Sequence, residues 1–388
     1  MKRIPLSAPS LRGNEKKYVL DAIEQEWVST GGSYIDTFEK NLAKYVGVSQ
    51  AVACQSGTAG LHLALLLSGV ERNDEVIVPT LTFIASVNPI SYLGAYPVFM
   101  DCDHTLTMDV EKLREFIEKE CEYKAGKLLN KQTSRQIKAI VAVHIFGNNC
   151  NMQAIMQLAN LYDLKVIEDA TEALGSYYQG GSYEGKYLGT IGDFGVYSFN
   201  GNKIITTGGG GMLVSKKIDL LNQARYLSTQ AKDDPVFYQH NAIGYNYRMT
   251  NIQAAMGVAQ LEQLESFIKC KERNYKLYNK LLSDCKELEL VHFSKEIRPN
   301  YWFYSIILKN KQLSVRTLIE KMQEKNIQIR PIWGLIHEQK PYQKAMHYRI
   351  DKAIYYRQRI INIPCSSNLS EEEVYYVVDM LKEIINIG

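Results

Sequence analysis

FGVYSFNGNKIITTGGGGMLV, residues Phe194 to Val214, sets one lysine between a short apolar run and four consecutive glycines. Phe194 to Phe199 reads as a buried strand, and Gly208 to Gly211 as a segment where backbone approaches another group closely or takes positive φ. Lys203, on the loop between them, is open to two readings. Stripped of water, it has a lowered pKa and a neutral amine able to condense with a carbonyl. On a surface turn it is an ordinary solvated lysine.

Outward from this stretch, strand and helix alternate as in a parallel sheet. Upstream lies KVIED (Lys165 to Asp169), an apolar strand closed by two acids. Asp169 either caps the next turn or presents a carboxylate to a ring-nitrogen cation at the strand's carboxyl end. Gly180 to Gly192 reads as a loop, and a helix spans Met152 to Tyr162. Ahead of it, AIVAVHIFG (Ala139 to Gly147) is a continuous apolar run, as expected of a central strand buried on both faces. Glu122 to Gln136 is polar and without periodicity, so it reads as a solvated excursion after a helix from Val110 to Glu120. Pro97 to Asp101 and Val76 to Pro79 are further strands. Phe83 lies just past the second of these, where an aromatic either stacks on a planar ring or belongs to the core. AVAC (Ala51 to Cys54) turns sharply into the helix SGTAGLHLALL. There Ser56, Gly57 and Thr58 are either an ordinary N-cap or the backbone N–H groups and hydroxyl of an anion site. Nearer the start, helices run from Asn14 to Glu26, with Val19, Leu20 and Ile23 on one face, and from Tyr34 to Tyr45. The polar loop between them, with Ser29 and Thr30, is able to touch a ligand.

Downstream, a loop with Asn246 and Arg248 precedes a helix of more than twenty residues, which bridges units more naturally than it packs on a sheet. Two domains are therefore expected, 1–250 and 251–388. The second is a smaller α+β unit with strands Tyr301 to Leu308 and Ile327 to Arg330, helices Val315 to Lys325 and Glu371 to Ile385, and a loop carrying Trp333 and His337. The length of 388 residues suits this division. With 45 basic and 42 acidic residues the formal charge is +3, too balanced to argue for nucleic acid or a membrane surface, and a small-molecule partner is expected. The seven cysteines are scattered and form no CxxC pair, and no HExxH is present, so neither a zinc site nor a disulfide framework is indicated. No signal-peptide pattern or bilayer-length apolar run is found, and the cytosol is the simplest compartment. No G-x-G-x-x-G follows the first strand and no P-loop occurs, which argues against nicotinamide-binding and P-loop enzymes.

WVSTGG, SGTAGLHLALL, DEVIVPTLTFIAS, VIEDATEALGS, GVYSFNGNKIITTGGGGMLV, GYNYRMTNIQAAMGVAQLEQL and INIPCSSNLSEEEV, in this order, resemble the fold-type I pyridoxal-phosphate enzymes, and within them the sugar-nucleotide aminotransferases of the StrS/DegT type. The resemblance covers nearly the whole chain. It implies an α/β fold with a large, mostly parallel sheet domain and a smaller C-terminal α+β domain. It also implies pyridoxal 5'-phosphate held by Lys203, Asp169 on the pyridine nitrogen and Phe83 stacked on the ring. Gly57, Thr58 and Ser198 would hold the phosphate, with Asn246 reaching in from a second chain, so a homodimer with shared sites is implied. Three residues after Asp169 the family usually shows Gln or His for the cofactor's phenolic oxygen. This chain has Glu172, which would need a proton or an intervening water there. Arg248 is a candidate for an anionic group of the substrate. Related enzymes that carry out 3-dehydration have histidine in place of the lysine, so Lys203 argues for transamination, and the complete set argues against a non-catalytic regulator. The GNKIITTGGGG run and Glu172 are similar to the LegC-like and PglE-like branch. That likeness implies transfer from L-glutamate to the C4 ketone of a UDP-linked 2-acetamido-2,6-dideoxy-4-hexulose in bacterial glycan synthesis, with a GDP-linked 4-keto-6-deoxymannose as the alternative.

Overall fold

The structure is a computed structural model that describes residues 3–234, 236–310 and 312–387. The chain enters through α1 (Glu15–Glu24) and α2 (Ser33–Val46). It then alternates through β1 (Ala51–Cys54), α3 (Gly57–Leu67), β2 (Glu75–Pro79), α4 (Asn88–Tyr92), β3 (Tyr96–Met100) and α5 (Val110–Glu120). The hairpin β4 (Cys121–Lys124) and β5 (Lys127–Asn130) precedes β6 (Gln136–Val143), α6 (Met152–Leu161), β7 (Lys165–Asp169), the short β8 (Tyr177–Tyr178), β9 (Phe194–Ser198), β10 (Gly211–Val214) and α7 (Ile218–Ser228). The 32-residue α8 (Asn251–Leu282) leads into β11 (Leu288–Leu290), β12 (Ile297–Arg298), β13 (Tyr304–Leu308), α9 (Val315–Glu324), β14 (Arg330–Pro331), β15 (Met346–Tyr348), α10 (Lys352–Arg357), β16 (Ile360–Ile363) and α11 (Glu371–Ile387).

Along the large sheet the order is β1-β10-β9-β7-β6-β2-β3-β15, with the β4-β5 hairpin added beside β6. From β9 to β15 each neighbour in that order is parallel, while β10 runs antiparallel to both β1 and β9. Successive side chains alternate faces. Ile77, Ile140 and Ala142 join a core with residues of α2 and α8, whereas Val76, Val78, Ala139 and Val141 join one with residues of α3, α4 and α7. A sheet covered on both faces explains why its central strands are almost unbroken apolar runs. A second sheet, β11-β13-β16-β14, is built from the C-terminal third; α8 and α9 pack on its strands, and α11 packs on those two helices. The mixed α/β architecture with a mostly parallel sheet is the one expected.

Four expectations change in detail. Glu122 to Gln136 is no excursion: Ala125 and Gly126 take φ of 50° and 73° and close the β4-β5 hairpin. Its Asn130 amide and Thr133 hydroxyl donate to the buried carboxylate of Glu75 at 2.7 Å each. The alternation was too short to read as a strand. The strand expected from Tyr301 starts at Tyr304, because Tyr301 has a φ of 55° that breaks extended geometry. The strand expected over Ile327 to Arg330 pairs with β16 only through Arg330 and Pro331, Ile327 making a single bridge to Ile4. In α1, Leu20 and Ile23 stay about half exposed, and the buried positions are Glu15 and Ala22. No helix among the described residues is long and apolar enough to cross a membrane.

Candidate active site

A cavity of about 300 Å³ opens beyond the carboxyl ends of β2, β7 and β9, where an open α/β sheet accommodates ligands. Lys203 reaches it because the chain leaves β9 and returns to β10 through a closed loop. Phe199 N–H donates to the Gly210 carbonyl and Thr207 N–H to the Phe199 carbonyl, each at 2.9 Å, and Lys203 N–H closes a turn onto Asn200. The glycines make this possible. Gly208 and Gly210 have φ of 78° and 146°, and a Cβ on Gly211 would lie 2.5 Å from the Ser56 carbonyl oxygen, where β10 presses on the start of α3.

The Lys203 ammonium is held between two groups. Its Nζ is 3.6 Å from Glu172 Oε1 and 4.2 Å from the centre of the Trp302 ring. Burial pushes the Glu172 carboxyl up to about 7, against the charge of Lys203 and the N–H of Phe146, which donates to Oε2 at 2.8 Å. Near neutrality Glu172 is thus able to carry a proton, the form that a carboxyl facing a phenolic oxygen would need.

Asp169 closes β7 and is 2 % exposed. Ser86 Oγ donates to its Oδ2 at 2.6 Å and is itself 2.8 Å from the hydroxyl of Thr82, while Thr171 N–H donates to Oδ1 at 3.1 Å. Asp169 therefore caps the following turn and also offers a fixed carboxylate to the cavity. Its neighbour Glu168 points to the other face, as strand periodicity requires. There it accepts from the N–H groups of Gly189, Ile191 and Gly192 and pairs with His144 Nε2 at 2.9 Å. Cys150 N–H donates to His144 Nδ1 at 3.2 Å, which fixes the ring hydrogen on Nε2, toward the carboxylate. Burial pushes the Glu168 carboxyl up, but His144 and the N–H groups more than offset it, so the group sits below the usual carboxylate range. This pair locks together the ends of β6 and β7 that support Asp169.

At the start of α3, Ser56 Oγ accepts from Ala59 N–H at 3.0 Å, and the first N–H groups of the helix, at Gly57 and Thr58, lie on the cavity wall. A Cβ on Gly57 would come within 3.0 Å of both Ser198 Cβ and Thr171 Cγ2, so these elements form a narrow cradle with a helix N-terminus at its base. Phe83 is 52 % exposed at the rim, its ring centre 6.1 Å from that of Trp333.

Lys203, Asp169, Gly57, Thr58, Phe83, Glu172 and Ser198 thus line one cavity. Asn246, Arg248, Ser29 and Thr30 do not line it within this chain. Asn246 bridges Thr229. The Arg248 guanidinium is buried against Glu39, which also binds Arg225 and the N–H of Ala53, so within this chain it serves the packing of α2 on β1. Ser29 gives its carbonyl to Asn251 N–H, and Thr30 follows it on the exposed loop. Sequence reasoning missed Trp302 and the Ser86 and Thr82 hydroxyls. The hydroxyls lie inside the quoted TLTFIAS motif, but nothing local shows that they turn toward Asp169. Trp302 comes from more than a hundred residues further on, with no local signal.

A model of the DegT/DnrJ/EryC1/StrS aminotransferase family matches residues 9–382. The chain is 40% identical over 385 residues to a GDP-perosamine synthase of Escherichia coli O157:H7, covering 99% of each. It is 37% identical over 386 residues to another of that name from Caulobacter vibrioides, covering 99% of this chain and 98% of that one. The fold matches that of Helicobacter pylori PseC, described as an aminotransferase involved in the biosynthesis of pseudoaminic acid, with a TM-score of 0.89 at 23% identity over the full length of both chains. With a family match over nearly its whole length and a lysine, an acid and a helix N-terminus converging on one cavity, this chain belongs to the DegT/DnrJ/EryC1/StrS family and is a pyridoxal-phosphate-dependent sugar aminotransferase.

Proposed function

We propose that the protein transfers an amino group from L-glutamate to the C4 ketone of a GDP-linked 4-keto-6-deoxy sugar. The reaction rests on one observation, the convergence of Lys203, Asp169, Glu172 and the α3 N-terminus on a single cavity. The donor set fits the cofactor. The N–H groups of Gly57 and Thr58 and the Ser198 hydroxyl suit a phosphate dianion, Asp169 a protonated ring nitrogen, and Lys203 the carbonyl. A protonated Glu172 suits the phenolic oxygen, and Phe83 would cover the ring from the rim.

When bound, pyridoxal phosphate supplies an electron sink for the carbon that loses its proton. The chain does the rest. Asp169, fixed by Ser86 and Thr171, holds positive charge at the ring nitrogen. Lys203 would hold the cofactor's carbonyl carbon, and its Nζ, once released, would move the proton between the donor's α-carbon and the carbon on the other side of the transferred nitrogen. Glu172 keeps a proton at its carboxyl and donates it as a hydrogen bond. In the same reading residues 1–250 bind the cofactor and 251–388 close the site. Two copies share their sites, with Asn246 serving its neighbour's phosphate.

For the nucleotide, the relatives named GDP-perosamine synthases support GDP. The second reading, a UDP-linked 2-acetamido-2,6-dideoxy-4-hexulose, rests on the GNKIITTGGGG stretch. An amination assay over GDP-, UDP- and dTDP-linked 4-keto sugars with L-glutamate tests the choice. The GDP sugar is expected to lead by about tenfold or more in kcat/KM, as when one buried polar contact separates two substrates. Equal turnover of the UDP N-acetyl sugar would defeat the choice of nucleotide and leave the transaminase intact. Borohydride reduction followed by mass mapping should place the cofactor on Lys203.

A further inference from the structure

Trp302 is 1 % exposed, yet its ring face lines the cavity, with the Lys203 Nζ 4.2 Å from its centre. It is unusually well fixed for a residue in a loop. Its indole N–H donates to the Asn202 carbonyl, adjacent to Lys203, at 2.8 Å. Its backbone N–H donates to Asn300 Oδ1 at 2.9 Å, and its carbonyl accepts from the buried Lys271 Nζ at 3.0 Å. Phe303 stacks against it with ring centres 3.9 Å apart. The Asn300 amide also donates to the carbonyls of Glu172 and Leu174, at 2.8 and 2.9 Å. One short loop thus positions both groups that flank the Lys203 amine. Tyr301, within that loop, is held at a φ of 55°, a conformation that persists where surrounding contacts enforce it.

An indole face stabilises an ammonium and does nothing comparable for a neutral amine. We propose that Trp302 is a positioning residue for Lys203: its ring face stabilises Nζ and keeps it aimed over the cavity once Nζ has taken up a proton. The inference rests on the reading of Lys203 as the cofactor-holding lysine. In the step concerned, the Nζ lone pair would take up the proton released from the donor's α-carbon, for which the bound cofactor would supply the electron sink, and would return it to the carbon on the other side of the transferred nitrogen. Trp302 contributes by keeping Nζ aimed while it carries that proton.

The test compares Trp302→Leu with Trp302→Phe, which keeps an aromatic face but loses the tie to Asn202. In cofactor-free protein, the ε-CH₂ protons of Lys203, assigned through Lys203→Arg, should be shifted upfield by the indole ring. That shift should vanish in Trp302→Leu and persist in part in Trp302→Phe. In the half-reaction with L-glutamate, Trp302→Leu should lose about tenfold in kcat, the scale of a desolvated cation–π contact, with KM for glutamate within about twofold. The isotope effect with α-deuterated glutamate should rise, and Trp302→Phe should recover most of the rate. An unchanged kcat and isotope effect in Trp302→Leu would overturn the proposal. So would a Trp302→Phe variant as impaired as Trp302→Leu, because the ring face would then not be the active feature. Borohydride labelling of wild-type protein on a different lysine would instead overturn the reading of the site, and the ring-current shift reports the Trp302–Lys203 contact independently of that outcome.

Discussion

Glu172 stands where the family resemblance leads one to expect Gln or His, and its surroundings raise its pKa enough for it to carry a proton near neutrality. Burial raises its carboxyl to about 7, so below that pH it carries a proton and presents a donor, as an amide would. For an acid whose pKa is raised by folding, the contribution of the protonated form is complete at low pH and disappears as pH rises through the folded-state value. We therefore expect kcat/KM, which reports the free enzyme, to fall as pH rises through about 7 in the wild type. In Glu172→Gln that limb should flatten while activity at lower pH is retained. The same limb in the Gln variant would show that another group controls it. Glu172 is also a position where sequence raised the right question, whether a proton is present, and could not answer it. Its protonation depends on burial and on groups from separate segments, the Lys203 charge and the Phe146 N–H, which oppose the rise.

Two elements form the frame around the lysine, and each has one weak point. β10 lies so close to the start of α3 that a Cβ at position 211 would fall 2.5 Å from the Ser56 carbonyl oxygen and 2.7 Å from the Gly57 nitrogen, both backbone atoms. Gly211→Ala should cost about 1–3 kcal/mol of stability, as overpacking does, and should push aside the helix N-terminus that suits a phosphate. Thermal unfolding without cofactor checks the first effect and equilibrium cofactor titration the second; a variant that matches wild type in both would disprove the close-approach argument. The long α8 begins with a complete capping box, Thr250 on the Gln253 N–H and Gln253 back on the Thr250 N–H. Thr250→Ala should lower stability by about 1 kcal/mol, with Thr250→Ser close to neutral, as read from thermal or denaturant midpoints. Both features were partly legible: a glycine run marks a close approach and Thr-x-x-Gln marks a helix start. The partner of the close approach was not legible, because Ser56 lies about 150 residues away in the chain.

At the scale of the molecule, the loop before Asn246 carries large apolar side chains in the open, with Phe237 and Ile243 75 % and 87 % exposed. Exposed apolar surface of this kind suits a second protein surface, and Asn246 lies beside it without lining the cavity of its own chain. Sharing of sites between two copies makes a definite prediction. Lys203→Ala and Asn246→Ala proteins should each be inactive, and their mixture should regain activity. After random subunit exchange half of the dimers are hybrids with one complete site each, so recovery of about a quarter of wild-type activity is expected. No recovery after exchange proven by mass-tagged subunits would exclude a shared site and return Asn246 to a local structural role.

The sequence by itself determined the order of the elements and singled out residues that the fold brings to one cavity. Asp169 and the Ser56-Gly57-Thr58 turn stand at or just past a strand end and Lys203 on the loop after one, and short apolar runs bounded by Gly and polar residues mark such places locally. Even the mostly parallel sheet was readable, because strands covered on both faces must be apolar throughout. Only the tertiary structure decided what surrounds these residues. The Trp302 face over Lys203, the hydroxyls behind Asp169, the hairpin that satisfies Glu75 and the pairing of Arg248 with Glu39 are contacts between distant segments. Such contacts leave no periodic trace in the chain. They arise because a buried charge must find its partner wherever folding brings one within reach.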